Sequence, residues 1–314
     1  MSTRLLETYE VKVVLLTPAR VGGGVEGNLQ QLLRPQVRRE PVLRQVVLSV
    51  GEKPNSYRFE RTPLIPATTL KGLLRSLTEK LAATIYKRYQ SLELENLEST
   101  PLMLAANHHQ PTPQEEEKRR EKRLQQIPPL HAKPEQLTEL QHGNNKIAIH
   151  KTLAKLFEEL KPCVPEPPEA SPKDWSYEAF ASRYCPICML YGSTHQAGAV
   201  RPLDAIPPQT PDIEVRTHVA IDRGLGIRSE KKLYTEELLQ AGTTFKTRIH
   251  ILWPLPTPEE QQNPTCNQLY QTTLQEAQRL WKTLLEYLNQ THIQIGSGKT
   301  RGNGLAKITI RQIR

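Results

Sequence analysis

The order of extended and helical segments predicts an α+β fold with a ferredoxin-like core. Residues 9–16 form an apolar, β-branched run that ends at a Thr-Pro pair, as a buried strand does. Residues 243–253 alternate apolar with polar side chains, which is typical of a half-buried strand. Two segments, 68–85 and 269–290, instead repeat apolar side chains at helical spacing. The segment RTHVAIDRGLGIRSEKKLYTEE, which precedes residue 243, begins with strand-like residues, and a last alternating strand lies near the C-terminus. The order is therefore strand, helix, strand, strand, helix, strand.

Each element has a predicted buried face. A hydroxyl of Thr68 or Thr69 can cap the first helix. The apolar stripe of that helix comprises Leu70, Leu73, Leu74, Leu77, Leu81 and Ile85. The stripe of the second helix comprises Leu274, Ala277, Leu280, Trp281, Leu284 and Leu288. The inward positions of the two later strands are Phe245, Thr247, Ile249, Ile251 and Trp253, and then Ala306, Ile308 and Ile310.

Composition favours a polyanionic partner. The 314 residues include 42 Lys and Arg against 33 Asp and Glu, which gives a net charge of +9 and a pI of about 9.3. The N-terminus lacks a secretory apolar region, and no apolar run reaches the roughly 18 residues of a membrane span. We therefore expect a cytoplasmic protein with no membrane partner, in which four cysteines are too few for a disulfide scaffold.

The middle of the chain departs from this pattern. Residues 107–183 contain many prolines, the mixed charge run EEEKRREKR and one amphipathic stretch at 147–160 that predicts a helix. We interpret this segment as a partly disordered insertion in a domain formed by residues 1–106 and 184–314.

The C-terminal glycine loop, GSGKTRGNG at 296–304, predicts an anion-binding site. Its glycines let the backbone approach a ligand closely, and Lys299 and Arg301 add two cations. A nucleotide-binding P-loop is excluded, because that motif needs a glycine where this chain has Ile293. About a dozen residues follow the loop, too few for the rest of a P-loop enzyme.

The start of the first helix carries a second basic site. Lys71 and Arg75 lie four residues apart, and Gly72 between them would let a phosphate or another backbone come close. The alternative interpretation is a solvated helix face, and the glycines beside both basic sites favour binding.

Four segments together resemble the CRISPR-associated RAMP superfamily. PLIPATTLKGLLRSL resembles its helix start, CPICMLYGS its cysteine-containing turn, THVAIDRGLGIRSEKKLYTEE its IDR hairpin, and GSGKTRGNG its C-terminal glycine loop. The resemblance is closest to the seventh Cas family, the repeating backbone subunits of type III effector complexes. It leaves residues 107–183 unmatched as a subunit-specific insertion.

The resemblance implies an RRM-like palm with a β-hairpin thumb at about 204–235. It also implies CRISPR RNA and target RNA as partners, within a complex of other Cas subunits. The guide backbone would be contacted by Lys71, Gly72 and Arg75, by Lys299 and Arg301, and by the first glycine loop with Arg20, Gly22, Gly23 and Gly24. His218 and Arg223 would flank the base of the thumb.

The same resemblance raises the question of cleavage. Many type III backbone subunits cut target RNA with an Asp after the first strand and a divalent metal. Here the first Asp of the chain is Asp174, and Glu26 is the one carboxylate beside the first glycines. Because catalysis depends on placement at the ångström scale, we predict a non-cleaving subunit, with Glu26 as a weak candidate for a catalytic residue.

The CPIC sequence predicts a structural zinc site. Cys185 and Cys188 have the spacing with which two thiolates bind Zn²⁺, and Cys163 lies 22 residues upstream. The fourth ligand is expected to be His150, with His142 and His131 as alternatives, and zinc would attach the insertion to the palm. A thiol pair without metal is the rival interpretation, and Cys266 is expected to be unpaired.

Two other functions stay open on the sequence alone. A RAMP endoribonuclease that cuts target RNA or processes CRISPR transcripts would use a metal or one of the nine histidines. A zinc-stabilised RNA-binding module outside CRISPR systems would bind single-stranded RNA with a steep salt dependence but without a uniform guide population.

Overall fold

The computed structural model of this protein describes residues 6–21, 45–50, 58–90, 137–142, 145–150, 175–221 and 228–314. Strands and helices mix along these residues, and the largest sheet has five strands. This confirms the predicted α+β class. None of the helices in the described ranges is long and apolar enough to cross a membrane.

The elements are numbered in chain order. The strands are β1 (Leu6–Leu15), β2 (Gln45–Val50), β3 (Arg58–Pro63), β4 (Leu137–His142), β5 (Asn145–His150), β6 (Val200–Pro202), β7 (Ile213–Ile221), β8 (Arg228–Leu239), β9 (Thr244–Leu252), β10 (His292–Gln294) and β11 (Leu305–Gln312). The helices are α1 (Ala67–Gln90), α2 (Trp175–Arg183), α3 (Pro186–Tyr191), α4 (Pro258–Gln262) and α5 (Pro264–Gln290), with a 3₁₀ turn at Lys299–Arg301.

The described residues form two compact units. The first unit draws on Leu74–Val200 and Ile251–Leu284, and its largest buried side chains are aromatic. The second unit draws on Leu6–Leu73, Arg201–His250 and Leu285–Arg314, and it contains most of the five-stranded sheet.

The sheet has the strand order β10-β11-β1-β9-β6. Strand β11 pairs antiparallel with both β1 and β10. Apolar residues of β1 face apolar residues of β11 in register, and Val13, for example, lies opposite Ile308. Both side chains are buried, so this strand pair forms a central part of the core of the second unit.

The predicted faces of the later elements are confirmed. All five inward positions of β9 and its flank are buried, and so are all six members of the α5 stripe and the three apolar positions of β11. Strands β7 and β8 pair antiparallel in the segment that the resemblance assigns to a thumb, and β8 continues to Leu239.

The first helix begins at Ala67, so Thr68 and Thr69 lie inside its first turn and the prediction that one of them caps it is wrong. The backbone N–H of Ala67 donates to Asp204 Oδ1 at 2.7 Å, so a side chain far along the chain satisfies the helix start. Leu70 and Leu74 are buried as predicted, whereas Leu73, Leu77 and Leu81 are half-buried. The side chain of Ile85 lies outside the described residues.

The helix predicted at 147–160 is wrong in its first residues. Asn145–His150 form β5, which pairs antiparallel with β4. The two isoleucines of this segment alternate with Ala148 and His150, and β-branched alternation favours a strand over a helix. Residues 151–160 and the EEEKRREKR run lie outside the described residues.

Candidate nucleic-acid interface

The segment that follows β1 lies between the end of β8 and the C-terminal glycine loop. Ala19 and Leu239 exchange backbone hydrogen bonds of 3.0 and 2.8 Å. The next residue, Arg20, contacts the C-terminal glycine loop: its carbonyl accepts a hydrogen bond of 2.9 Å from the N–H of Ser297. Three chain segments that are distant in sequence are thereby held side by side within the second unit.

Two glycines make this close approach possible. Gly296 has φ +78°, and a Cβ added there would lie 2.1 Å from the carbonyl oxygen of Arg20. Gly304 has φ +81°, and its Cβ would lie 2.0 Å from the carbonyl oxygen of Ile295. These two positions need glycine for internal packing. At Gly302, with φ +80°, a Cβ would meet no atom within 4 Å, so there the loop is open.

Three of the predicted RNA-binding cations meet around one carboxylate, that of Glu236 on β8. Arg20 Nη1 lies 3.3 Å from Glu236 Oε2, and Arg301 Nη1 lies 3.4 Å from Glu236 Oε1. His218 Nε2 lies 2.7 Å from the same Oε1, a polar contact that becomes an ion pair when the imidazole is protonated. We call these four residues the Glu236 cluster.

Burial decreases outward from the carboxylate. The side chain of Glu236 is 1% exposed, those of Arg20 and His218 are 11% and 25% exposed, and that of Arg301 is 41% exposed. Two guanidinium groups against one carboxylate leave a net charge of +1, or +2 with a protonated His218. The cluster is therefore a cationic site whose outer members reach solvent, which suits a phosphate ligand.

The start of α1 forms the second predicted site. Gly72 is exposed, and a Cβ built there would meet no atom within 4 Å. Internal packing therefore does not require glycine at this helical position, which costs helix stability relative to alanine. Lys71, beside it, is half-buried. An open glycine next to a lysine leaves room for a ligand backbone.

Comparison with known protein families identifies the superfamily of this chain. A model of the RAMP superfamily matches residues 12–307. The chain belongs to the RAMP superfamily. The matched range runs from β1 into β11 and contains all four residues of the Glu236 cluster, and it confirms the resemblance at the level of the superfamily. No curated protein matches the chain.

One solved structure similar to this RAMP protein is described as a "Type IV-B CRISPR Complex". The similarity has a TM-score of 0.44 and 12% identity, and it covers 97% of this chain and 90% of the other. A likeness this distant carries no functional inference.

Arg75, a predicted RNA contact of this RAMP protein, makes internal contacts. Its Nε donates to Glu79 at 3.0 Å, and its Nη1 donates to the carbonyl of Gly192 at 3.2 Å. One turn further along α1, the hydroxyls of Thr78 and Tyr191 lie 2.8 Å apart. These bonds join α1 to α3 and to Gly192, the C-cap residue of α3, so Arg75 has a structural role whatever else it binds.

The other predicted RNA contacts divide into two groups. Lys299 is exposed on the 3₁₀ turn, where its carbonyl accepts a hydrogen bond of 3.1 Å from Gln294. Several others lie outside the described residues: Gly22, Gly23, Gly24, Arg223 and the weak catalytic candidate Glu26. Their roles stay predictions.

The two cysteines of CPIC lie at the start of α3. Cys185 is its N-cap residue, and Cys185 Sγ accepts a hydrogen bond of 3.5 Å from the N–H of Cys188. Both thiols are buried, and burial raises the pKa of the Cys185 thiol well above its ordinary value. Without a metal this thiol stays protonated, so zinc binding there would displace a proton.

The described residues do not complete a metal site. No three of their His, Cys, Asp and Glu side chains are grouped so as to hold a metal ion. Cys163 and the side chain of His150 lie outside the described residues, as do the side chains of His142 and His131. The CPIC pair fits zinc as two of its four ligands, and a histidine ligand such as His150 stays a prediction.

The expectation that Cys266 is unpaired is wrong. This residue is disulfide-bonded, and Cys185 and Cys188 are free, so of the four cysteines only Cys163 is left as its partner. The prediction that Cys163 binds zinc is therefore wrong, because a disulfide sulfur is not a thiolate ligand. Cys266 is buried in the first turn of α5.

Sequence reasoning missed Glu236. A usable signal was present, because Glu236 and Leu238 are two apart on β8 and so share a face. A glutamate at an inward strand position needs cationic partners. Asp204 gave no such local signal, since it contacts a helix 137 residues away in the chain.

Proposed function

We propose that this RAMP protein is a CRISPR RNA-binding backbone subunit of a type III RNA-guided effector complex. It binds guide phosphates, its β7–β8 hairpin separates segments of the guide–target duplex as a thumb, and it does not itself cleave RNA. The observation that carries the proposal is the Glu236 cluster, in which cations from three chain segments meet beside the C-terminal glycine loop.

Phosphate contacts are the chemistry that such a subunit needs. A guide-binding subunit has to hold guides of any sequence, so its affinity has to come from Lys, Arg and backbone amides. The Glu236 cluster supplies guanidinium groups. The open positions at Gly302 and Gly72 supply backbone that a ligand can approach.

The strand order supports an RRM-like palm. In the order β11-β1-β9-β6 the first strand lies between the last strand and the strand that precedes α5, as in a ferredoxin-like sheet. The short strand β10 extends the sheet beyond β11. The β7–β8 hairpin enters this unit next to Ala19, where a thumb would join the palm.

A zinc ion held by Cys185 and Cys188, with His150 as a third ligand, belongs to the same proposal; Cys163 is left out, because it is the one remaining cysteine that can pair with the disulfide-bonded Cys266. It would serve structure, because four protein ligands leave no position for a substrate. Metal analysis of the purified protein tests it: we expect stoichiometric zinc, and loss of that zinc in Cys185→Ser. Protein that is folded and active in RNA binding without zinc contradicts the site.

A second function has one observation in its favour. His218 lies 2.7 Å from a buried carboxylate, the arrangement in which a histidine acts as an oriented general base or acid. A processing endoribonuclease could use it. Incubating the isolated protein with a repeat-containing transcript separates the two functions, since cleavage that is lost in His218→Gln would favour the enzyme.

The RNA that travels with the native protein tests the main proposal. We expect sequencing to recover one population of guides that carry a common repeat-derived tag. Recovery of RNA with no shared tag would favour a general RNA-binding module. Target RNA and the other Cas subunits would join only in the assembled complex.

A further inference from the structure

We propose that Glu236 is a positioning residue for RNA binding: its buried carboxylate holds Arg20, His218 and Arg301 in the arrangement that receives the guide phosphates. This inference rests on the proposed function. Glu236 would contact no RNA itself, and it would act through the three cations around it.

The burial of Glu236 requires these partners. A carboxylate that is 1% exposed carries a large desolvation cost unless cations and hydrogen bonds compensate it. The compensation comes from three separate elements: the segment after β1, the strand β7 and the 3₁₀ turn before β11. Backbone pairing brings these segments together, and the one carboxylate then orients their three cationic side chains around itself.

Arginine chemistry allows the carboxylate and a phosphate to be contacted together. A guanidinium presents several N–H donors in one rigid plane, so it can contact a carboxylate through one nitrogen and a phosphate oxygen through another. Arg301 contacts Glu236 through Nη1 and is 41% exposed, so solvent or a ligand reaches the same side chain. Ordering this side chain before RNA arrives lowers the entropy cost of binding.

Positioning by Glu236 and simple electrostatics predict opposite changes in RNA affinity when the carboxylate is removed. Removing a negative charge beside an RNA-binding surface should strengthen the attraction of the polyanion. If Glu236 positions the cations, its removal instead weakens binding, although the protein becomes more positive. A role in bulk charge and a role in positioning are therefore separated by the direction of the effect.

The chain offers a matched control in the next residue. Glu237 is half-buried, lies on the opposite face of β8 and pairs with Val215 rather than Arg216. Glu236→Gln and Glu237→Gln make the same charge change on the same strand. Anisotropy titrations of a labelled, mixed-sequence single-stranded RNA should show about tenfold weaker binding for Glu236→Gln and unchanged or tighter binding for Glu237→Gln.

A double-mutant cycle separates positioning from a merely structural role. In an Arg301→Ala background, Glu236→Gln should cost much less affinity than in the wild-type protein, because its main outer partner is gone. Additive losses, or Glu236→Gln protein that is folded and binds RNA as tightly as Glu237→Gln, overturn the inference.

Two further variants keep the test decisive if Glu236→Gln folds poorly. Glu236→Asp keeps the charge but shortens the side chain, and it should also weaken binding. Arg301→Lys keeps the charge but loses the planar donors, and it should bind more weakly than the control Arg311→Lys, whose residue is 76% exposed. Equal affinity of Arg301→Lys and Arg311→Lys contradicts positioning. Wild-type protein that binds no RNA contradicts the proposed function instead.

Discussion

Each of the two units contains a buried glutamate paired with arginine, and the two sites differ in how completely they are enclosed. In the first unit, Glu260 has an unexposed side chain and accepts hydrogen bonds of 2.8 and 2.6 Å from Nε and Nη2 of Arg183. The N–H of Thr257 donates to it at 2.8 Å, as part of a capping box. Arg183 is itself only 17% exposed.

The Glu236 cluster of the second unit starts from an equally buried carboxylate, but its cations become steadily more exposed. Arg183 also donates to the carbonyl of Leu255 and lies over the ring of Tyr270, so its surroundings are protein. Arg301 is 41% exposed. A buried carboxylate with enclosed partners therefore stabilises the fold, whereas one with outward-reaching partners can organise a binding surface.

The largest expected effect lies in the enclosed pair. Arg183→Ala leaves Glu260 buried without its cation and should lower the free energy of unfolding by about 3–5 kcal/mol. Urea denaturation measures this, with Arg279→Ala as the control, because Arg279 is 52% exposed beside Glu276 and should cost less than about 1 kcal/mol. Similar losses of stability in both variants would contradict the claim that the enclosed Arg183–Glu260 pair stabilises the fold.

The next largest effect is expected in the C-terminal glycine loop, which carries Arg301 of the Glu236 cluster. Gly304→Ala forces a side chain into a left-handed conformation and against the carbonyl of Ile295, so it should cost about 2–5 kcal/mol. Gly302→Ala has the same φ penalty without the clash and should cost about 1–2 kcal/mol. Thermal unfolding of both proteins checks the order, and a reversed order would mean that Gly304 does not support the loop.

Arg301→Ala is expected to change stability less than the glycine variants do and to change RNA binding more. Arg301→Ala should weaken RNA binding about tenfold and lower the slope of log affinity against log salt by about one. It should change stability by less than about 1 kcal/mol, because the side chain is exposed. Arg311→Ala is the control for charge. Equal affinities of the two alanine variants would argue against the Glu236 cluster as the RNA site.

The smallest effect is expected at the start of α1. Gly72→Ala should leave the fold intact or stabilise it by up to about 1 kcal/mol, since alanine favours helix and the Cβ meets no atom. If RNA approaches the backbone here, the same change should weaken binding a few-fold. Binding that stays at the wild-type level would favour the alternative of a solvated helix face.

Much of the fold could be predicted from local sequence, because burial there follows a simple period. The alternation from Phe245 to Trp253 and the leucine stripe of α5 both correspond to buried faces. The strand at Asn145–His150 was missed because short apolar segments suit either a strand or a helix.

The sequence predicted the cations of the candidate site but not the carboxylate that they share. Arg20, His218 and Arg301 were identified by resemblance, but nothing local shows that they meet. Their common partner, Glu236, is defined by contacts across 18 to 216 residues of sequence, which only the folded chain brings together. The capping of α1 by Asp204 and the disulfide of Cys266 escaped prediction for the same reason.

Photo-crosslinking of the RNA bound to the native protein, followed by peptide mass spectrometry, shows whether the Glu236 cluster is the RNA-binding site. We expect crosslinks to the peptides that contain Arg20, His218 and Arg301. The start of α1, with Lys71 and Gly72, should be a second crosslinked site. Crosslinks confined to other parts of the chain, in a protein that does carry guide RNA, would contradict the Glu236 cluster as the RNA-binding site.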